Sequence, residues 1–212
     1  MIVSLGEIDS TALLAARGAG YSWGLAEEAG KSTRWLAARR MPWLPSLLAM
    51  LAVSPGETEF VIAGETIRPK RAPNMSPLSV GAYIADARQP LPVTLHNVRH
   101  PIWLLPFAAV LASEMRSPVA IGWLDAKAGL TERAVYQLGN PASLRAEAAS
   151  QVRIEPLPTE PSEPPSFVRQ SGGSQVDPDA WRALEELAGR TYVPATDASR
   201  LRGAGAGILD TD

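Results

Sequence analysis

The chain has 212 residues, 46% of them apolar, which is enough for one large domain or a domain with a small appendage. It contains no cysteine, and this removes disulfide frameworks, thiolate metal sites and cysteine nucleophiles together. The formal charge of −2 is uneven: residues 1–150 carry 14 basic and 12 acidic side chains, residues 151–212 carry 6 and 10. No basic stripe with interleaved aromatics appears, so nucleic acid is not an expected partner. The longest apolar run, Pro101 to Ala112, is twelve residues and too short to span a bilayer. Met1 to Ser10 holds acids and no basic segment, unlike a secretory signal. The expectation is a soluble, cytoplasmic protein without a membrane partner.

Ser4 and Glu7 stand in capping-box spacing, which predicts a helix from about Leu5 with Ile8, Ala12, Ala15 and Ala16 on its apolar face. Gly18 and Gly20 end it through a left-handed turn. Ser22 then caps a second helix through Leu25, Ala29, Ser32, Trp35 and Leu36. Glu27 and Glu28 lie near its positive end, and Arg39 and Arg40 near its negative end. A third helix is expected from about Pro45 through Leu48, Leu51 and Ala52, stopping at Ser54, Pro55 and Gly56. Glu59 to Ala63 and Glu65 to Arg68 flank Gly64 as a hairpin, and Val93, Leu95 and Asn97 alternate as a strand. Ile102 to Met115 is too densely apolar for a surface helix and is placed as a buried one, with Pro106 in its first turn. Val119 to Leu124 is apolar on both faces, as an interior strand would be. Ala134 to Leu138 is expected to pair with it, and Gln151 to Glu155 to form the last strand.

Pro156 to Gln175 holds five prolines with several serines and the Gly172, Gly173 pair, and reads as a linker or long meandering loop. Asp177 then caps, Pro178 takes the first helical position, and Trp181, Leu184 and Leu187 form an apolar stripe that must pack on the body or on another subunit. Helices and strands come in segregated runs, so the expected class is α+β: an N-terminal helical block packed on a mixed or antiparallel sheet, with a C-terminal helix and tail. The expected organisation is a main domain over 1–155, a linker over 156–175 and a helix with an Arg/Gly-rich tail over 176–212.

Three blocks carry a resemblance. The first runs from Gly18 through Ser22, Trp23, Gly24, Leu25, Ala26, Glu27, Glu28, Ala29 and Gly30 to Trp35, Leu36 and Ala37. The second is Arg190, Thr191, Tyr192, Val193 and Pro194 with Ser199, Arg200, Leu201, Arg202, Gly203, Ala204, Gly205, Ala206 and Gly207. The third is Pro77, Leu78, Gly81, Ala82 and Asp86. Together they resemble a bacterial family catalogued only as a domain of unknown function, which implies no activity. The first helix, small-residue joint and second helix also resemble the opening of the malate and L-lactate dehydrogenases that bind nicotinamide cofactor without a Rossmann fold. Where that family continues to Ser-His-Gly, this chain reads Arg39, Arg40, Met41, Pro42 and Trp43, with no histidine. The likeness is one of fold.

Candidate chemistry is sparse. His96 and His100 are the only histidines, but on a strand positions four apart lie about 13 Å from each other, so no metal site is expected; one of them could serve as a lone acid or base, against the commoner surface or core role. Glu27, in a helical first turn, is a further candidate base, against the commoner role of complementing the dipole. Arg200 and Arg202 with Gly203 and Gly205 would clamp an anion between two guanidinium groups and glycine amides, against the plainer reading of a packed or flexible tail. The residues name no cofactor. They leave three readings: a binder of a small anionic metabolite, a non-catalytic oligomeric or accessory module such as a homodimer, and an NAD(P)-dependent oxidoreductase of the malate/L-lactate dehydrogenase type. Whether the chain is an enzyme does not follow from them.

Overall fold

The computed structural model describes residues 1–53 and 59–192. Its elements are β1 (Ile2–Val3), α1 (Leu5–Gly18), α2 (Trp23–Ala37), α3 (Leu44–Leu51), β2 (Phe60–Ala63), β3 (Thr66–Pro69) and α4 (Pro77–Asp86). After these come β4 (Val93–Arg99), a 3-10 turn (Pro101–Leu104), α5 (Leu105–Met115), β5 (Val119–Trp123), β6 (Ala126–Leu130), β7 (Ala134–Gln137) and a 3-10 turn (Pro141–Arg145). The chain continues through β8 (Ala148–Pro156), β9 (Phe167–Val168), β10 (Ser174–Gln175) and α6 (Pro178–Gly189). The class is α+β.

The helical start forms for the reasons its sequence suggests. Ser4 Oγ accepts from the Glu7 amide and Ser22 Oγ from the Leu25 amide, each meeting one otherwise unpaired first-turn donor. Small residues let α1 and α2 approach closely: Ala12 and Ala16 on one and Ala26 and Ala29 on the other are fully buried. A Cβ on Gly30 would lie 2.8 Å from the Asp9 carbonyl oxygen, so only glycine fits there. α6 lies against α1 and α3 and buries Trp181, Leu184 and Ala188. At the far end of that contact a Cβ on Gly18 would stand 1.9 Å from the Leu187 carbonyl oxygen, so the two backbones touch.

Eight strands form one sheet in the order β2-β3-β4-β8-β5-β6-β7-β9, antiparallel throughout except for the parallel pair β3 and β4. α5 packs on β5 and β6, α4 lies against α5, and α2 packs over both helices. The β2–β3 hairpin turns at Gly64, whose φ of 58° suits glycine. β1 and β10 pair separately, joining the start of the chain to the segment before α6.

Several elements differ from expectation, among them the short strands β1, β9 and β10, the last two inside the segment expected to be a linker or loop. β6, with Ala126, Ala128 and Gly129, lacks the branched and aromatic residues that mark strands, yet it lies between β5 and β7, so Ala134–Gln137 pairs with β6 rather than β5. β8 is not the last strand but a central one, hydrogen-bonded to both β4 and β5. α4 forms despite Gly81 and its β-branched residues, because buried Leu78, Val80 and Ile84 supply packing that outweighs propensity. The buried apolar segment after β4 opens as a 3-10 turn, and α5 starts only at Leu105.

Candidate functional site

A cleft lies where α2 ends. The Arg40 amide donates to Ala37 and the Met41 amide to Leu36, with Arg40 at φ 55°, a left-handed helix stop. Arg88 and Arg116 close α4 and α5 at φ 48° and 50°, so the strained backbone at Arg40 is a repeated helix-ending device and not in itself a sign of a site. Its effect is to throw the Arg40 side chain clear of the helix and send Met41 and Trp43 into the core. Gly173 to Asp177 and the first turn of α6 form the opposite wall, and Arg145 closes the side, around a cleft of about 530 Å³.

Arg145 is placed by three anchors. Asn140 Oδ1 accepts from the Ala142 amide at 3.0 Å, Leu144 is buried, and Trp123 Nε1 donates to the Ser143 carbonyl at 2.9 Å. Neither Arg40 nor Arg145 has an ion pair or hydrogen bond from its guanidinium among the described residues. The carboxylate in this cleft, Asp177, already accepts from the Asp179 and Ala180 amides as the α6 cap. The cleft therefore presents two uncommitted cations.

A recess of about 150 Å³ adjoins it at Pro42, Pro45 and Arg145, which line both. Ala49, Ile102 and Leu144 make it largely apolar, and His100, 6% exposed, gives it a polar wall. Trp103 Nε1 donates to Ser46 Oγ at 2.9 Å while Ser46 Oγ donates to the Trp43 carbonyl, so that hydroxyl is occupied and the wall is fixed. His100 follows β4 at φ 41°, left-handed, and ends no helix, so its strain is of a different kind from that of Arg40. Burial, then Arg99, holds its imidazole below the usual histidine pKa, against the opposing pull of Glu147 and a hydrogen bond to the Ala146 carbonyl. It is neutral at pH 7, with one ring nitrogen committed to Ala146.

Next to Arg40, Arg39 faces the other way. Its guanidinium stacks on Trp35 at 3.9 Å and donates to the Trp35 carbonyl, its Nε is buried without a partner, and the residue is 8% exposed. Burial and the nearby Arg169 lower its pKa to about 10.

The residues singled out in the sequence are dispersed. His100 lies in the recess. His96 is half-buried on β4, opposite Gln151. Glu27 is exposed in the second turn of α2 and not, as expected, in its first, because the helix starts at Trp23; it lies toward the end of that helix away from the cleft. Arg200, Arg202, Gly203 and Gly205 lie outside the described residues. Among the described residues no group of three or more histidines and acids stands ready to hold a metal, and no helix is long and apolar enough to cross a membrane. Sequence reasoning missed Arg40 and Arg145 as a pair because the cleft joins segments near 40, 145 and 175, which no local spacing links. Arg40 was legible only as a helix-end cation, and Arg145 carried no signal.

No curated protein matches the chain. What does match is the segment from β1 to the residue before α4: residues 3–76 fit the family described as Protein of unknown function (DUF3726), so an uncharacterised domain family accounts for this N-terminal part of the chain.

Proposed function

We propose that the protein binds a small organic anion in the cleft between the end of α2, the 3-10 turn at 141–145 and the start of α6. The observation that carries this reading is the convergence of Arg40 and Arg145 on one concave surface with no ion pair to either guanidinium among the described residues, in a chain whose net charge is −2. A guanidinium left unpaired beside a concavity is a ready partner for carboxylate or phosphate, which it binds through two parallel N–H donors. The anchors on Asn140, Leu144 and Ser143 hold the backbone at Arg145 in place before any ligand arrives, which lowers the ordering cost of binding.

The test is a thermal-shift titration with small carboxylates and inorganic phosphate on wild type and on the Arg40→Ala, Arg145→Ala double variant. Both side chains are exposed, so the variant is expected to fold. A ligand at 100 times its Kd stabilises the native state by about 2.7 kcal/mol, a rise in Tm of roughly 5–11 °C for a chain of this size. The rise should vanish in the double variant. An equal rise in both proteins, or none in either, refutes the proposal.

A further inference from the structure

We infer that the preferred ligand of this cleft is an anion carrying a ring-sized apolar group, such as an aryl or branched-chain carboxylate, with its charge at Arg40 and Arg145 and its apolar part in the recess beneath Pro42 and Pro45. The inference rests on the anion-binding reading and adds the class of ligand to it. Its basis is the division of one continuous surface into two chemically different parts. The outer cleft holds both uncommitted guanidinium groups, whereas the recess is walled mainly by Pro42, Pro45, Ala49, Ile102 and Leu144.

The recess measures about 150 Å³. A dry cavity of about this volume, lined by aliphatic side chains, accepts a benzene ring. Inorganic phosphate or acetate would leave it unfilled. Its polar groups do not argue for a second charge on the ligand. Ser46 already makes two hydrogen bonds, and His100 is neutral with one nitrogen donating to the Ala146 carbonyl, leaving the other as a single acceptor at the wall. Glu147, exposed at the rim, would repel a second negative group placed there. Arg145 borders both parts and fixes the geometry: a carboxylate on its guanidinium stands at the mouth of the recess.

Burying a ring of phenylalanine size is worth roughly a tenfold to hundredfold gain in affinity. Dissociation constants are therefore compared by calorimetry for phosphate, acetate, benzoate, 3-phenylpropionate and the uncharged benzamide. The proteins are wild type, Ala49→Leu and Arg145→Ala. Ala49 is exposed on α3, so leucine there fills the recess without entering the core. The expected result is that one of the aryl carboxylates binds at least tenfold more tightly than acetate, that Ala49→Leu erases this preference while acetate binding persists, and that Arg145→Ala weakens all the anions. If acetate, phosphate and the aryl acids bind alike, or if the preference survives Ala49→Leu, the inference fails and the anion site stands. If benzamide binds as well as benzoate, or no anion binds at all, the anion-binding reading fails and takes the inference with it.

Discussion

Substituting Gly18 by alanine tests how the last helix is attached. The new Cβ would lie 1.9 Å from the Leu187 carbonyl oxygen and 2.9 Å from its carbon, where ordinary contact begins at 3.4 Å. α1 and α6 would have to separate by about 1.5 Å at that point, and since the obstacle is backbone, no rotamer change relieves it. Overpacking of this kind costs about 1–3 kcal/mol, and the helix-propensity gain of alanine returns up to about 1 kcal/mol. With a rigid obstacle the upper end applies, so the expected loss is roughly 2 kcal/mol, or a fall in Tm of roughly 4–8 °C. Gly6, in the first turn of the same helix, provides the control: a Cβ there meets nothing within 4 Å, so Gly6→Ala should raise stability by up to about 1 kcal/mol. Thermal melts followed by circular dichroism read both. If Gly18→Ala melts at or above wild type alongside Gly6→Ala, the two helices do not touch through their backbones, and the docking of α6 described above is wrong.

Two further outcomes concern buried basic side chains. His100 has a folded-state pKa below its ordinary value of 6.5, so the unfolded chain takes up its proton first. The stability this contributes is complete above pH 6.5 and is lost as pH falls through the lower folded value. Tm should therefore drop on acidification below about pH 6.5, and less steeply in His100→Gln; parallel profiles for the two proteins would contradict this. Arg39→Met keeps the stem over Trp35 and removes a guanidinium with a buried, unpartnered Nε. Tm is expected to stay level or rise, because a buried charge without a counter-ion is commonly replaced at no cost by a hydrophobe of similar length. A fall of more than roughly 4 °C would show that the stacked cation is a net contributor.

What could be read in the sequence was whatever is decided locally. Ser4 and Ser22 cap the helices they precede in the chain, and Gly64 turns its hairpin, because each acts on neighbours two or three positions away. β6 was missed because its strand character comes from β5 and β7 on either side and not from its own alanines and glycine. β8 looked terminal for a related reason: its central place is set by β4 and β5, which lie 50 and 30 residues earlier. The candidate site was less legible still. His100 was visible as one of two histidines, but nothing local announced that it would turn left-handed into a recess built from α3 and the 141–145 turn. Arg40 and Arg145 become a pair only once the chain has folded.

The parallel pairing of β3 with β4 bears on what the segment shared with the DUF3726 family can be. That segment stops at residue 76, one hydrogen-bonded neighbour short of a sheet. Ile67 and Met75, both fully buried, owe their cover in part to β4, where the Met75 amide donates to the Asn97 carbonyl and the Arg99 amide to Met75. On the other side, α1 takes its outer cover from α6, more than a hundred residues beyond the shared boundary. Cut at that boundary, the piece would have an open strand edge along β3 and a bare helix face, both of which invite association with other chains. In this protein, then, the border of the matched segment is not a border of the fold, and residues 3–76 are a component that requires the rest of the chain to complete it.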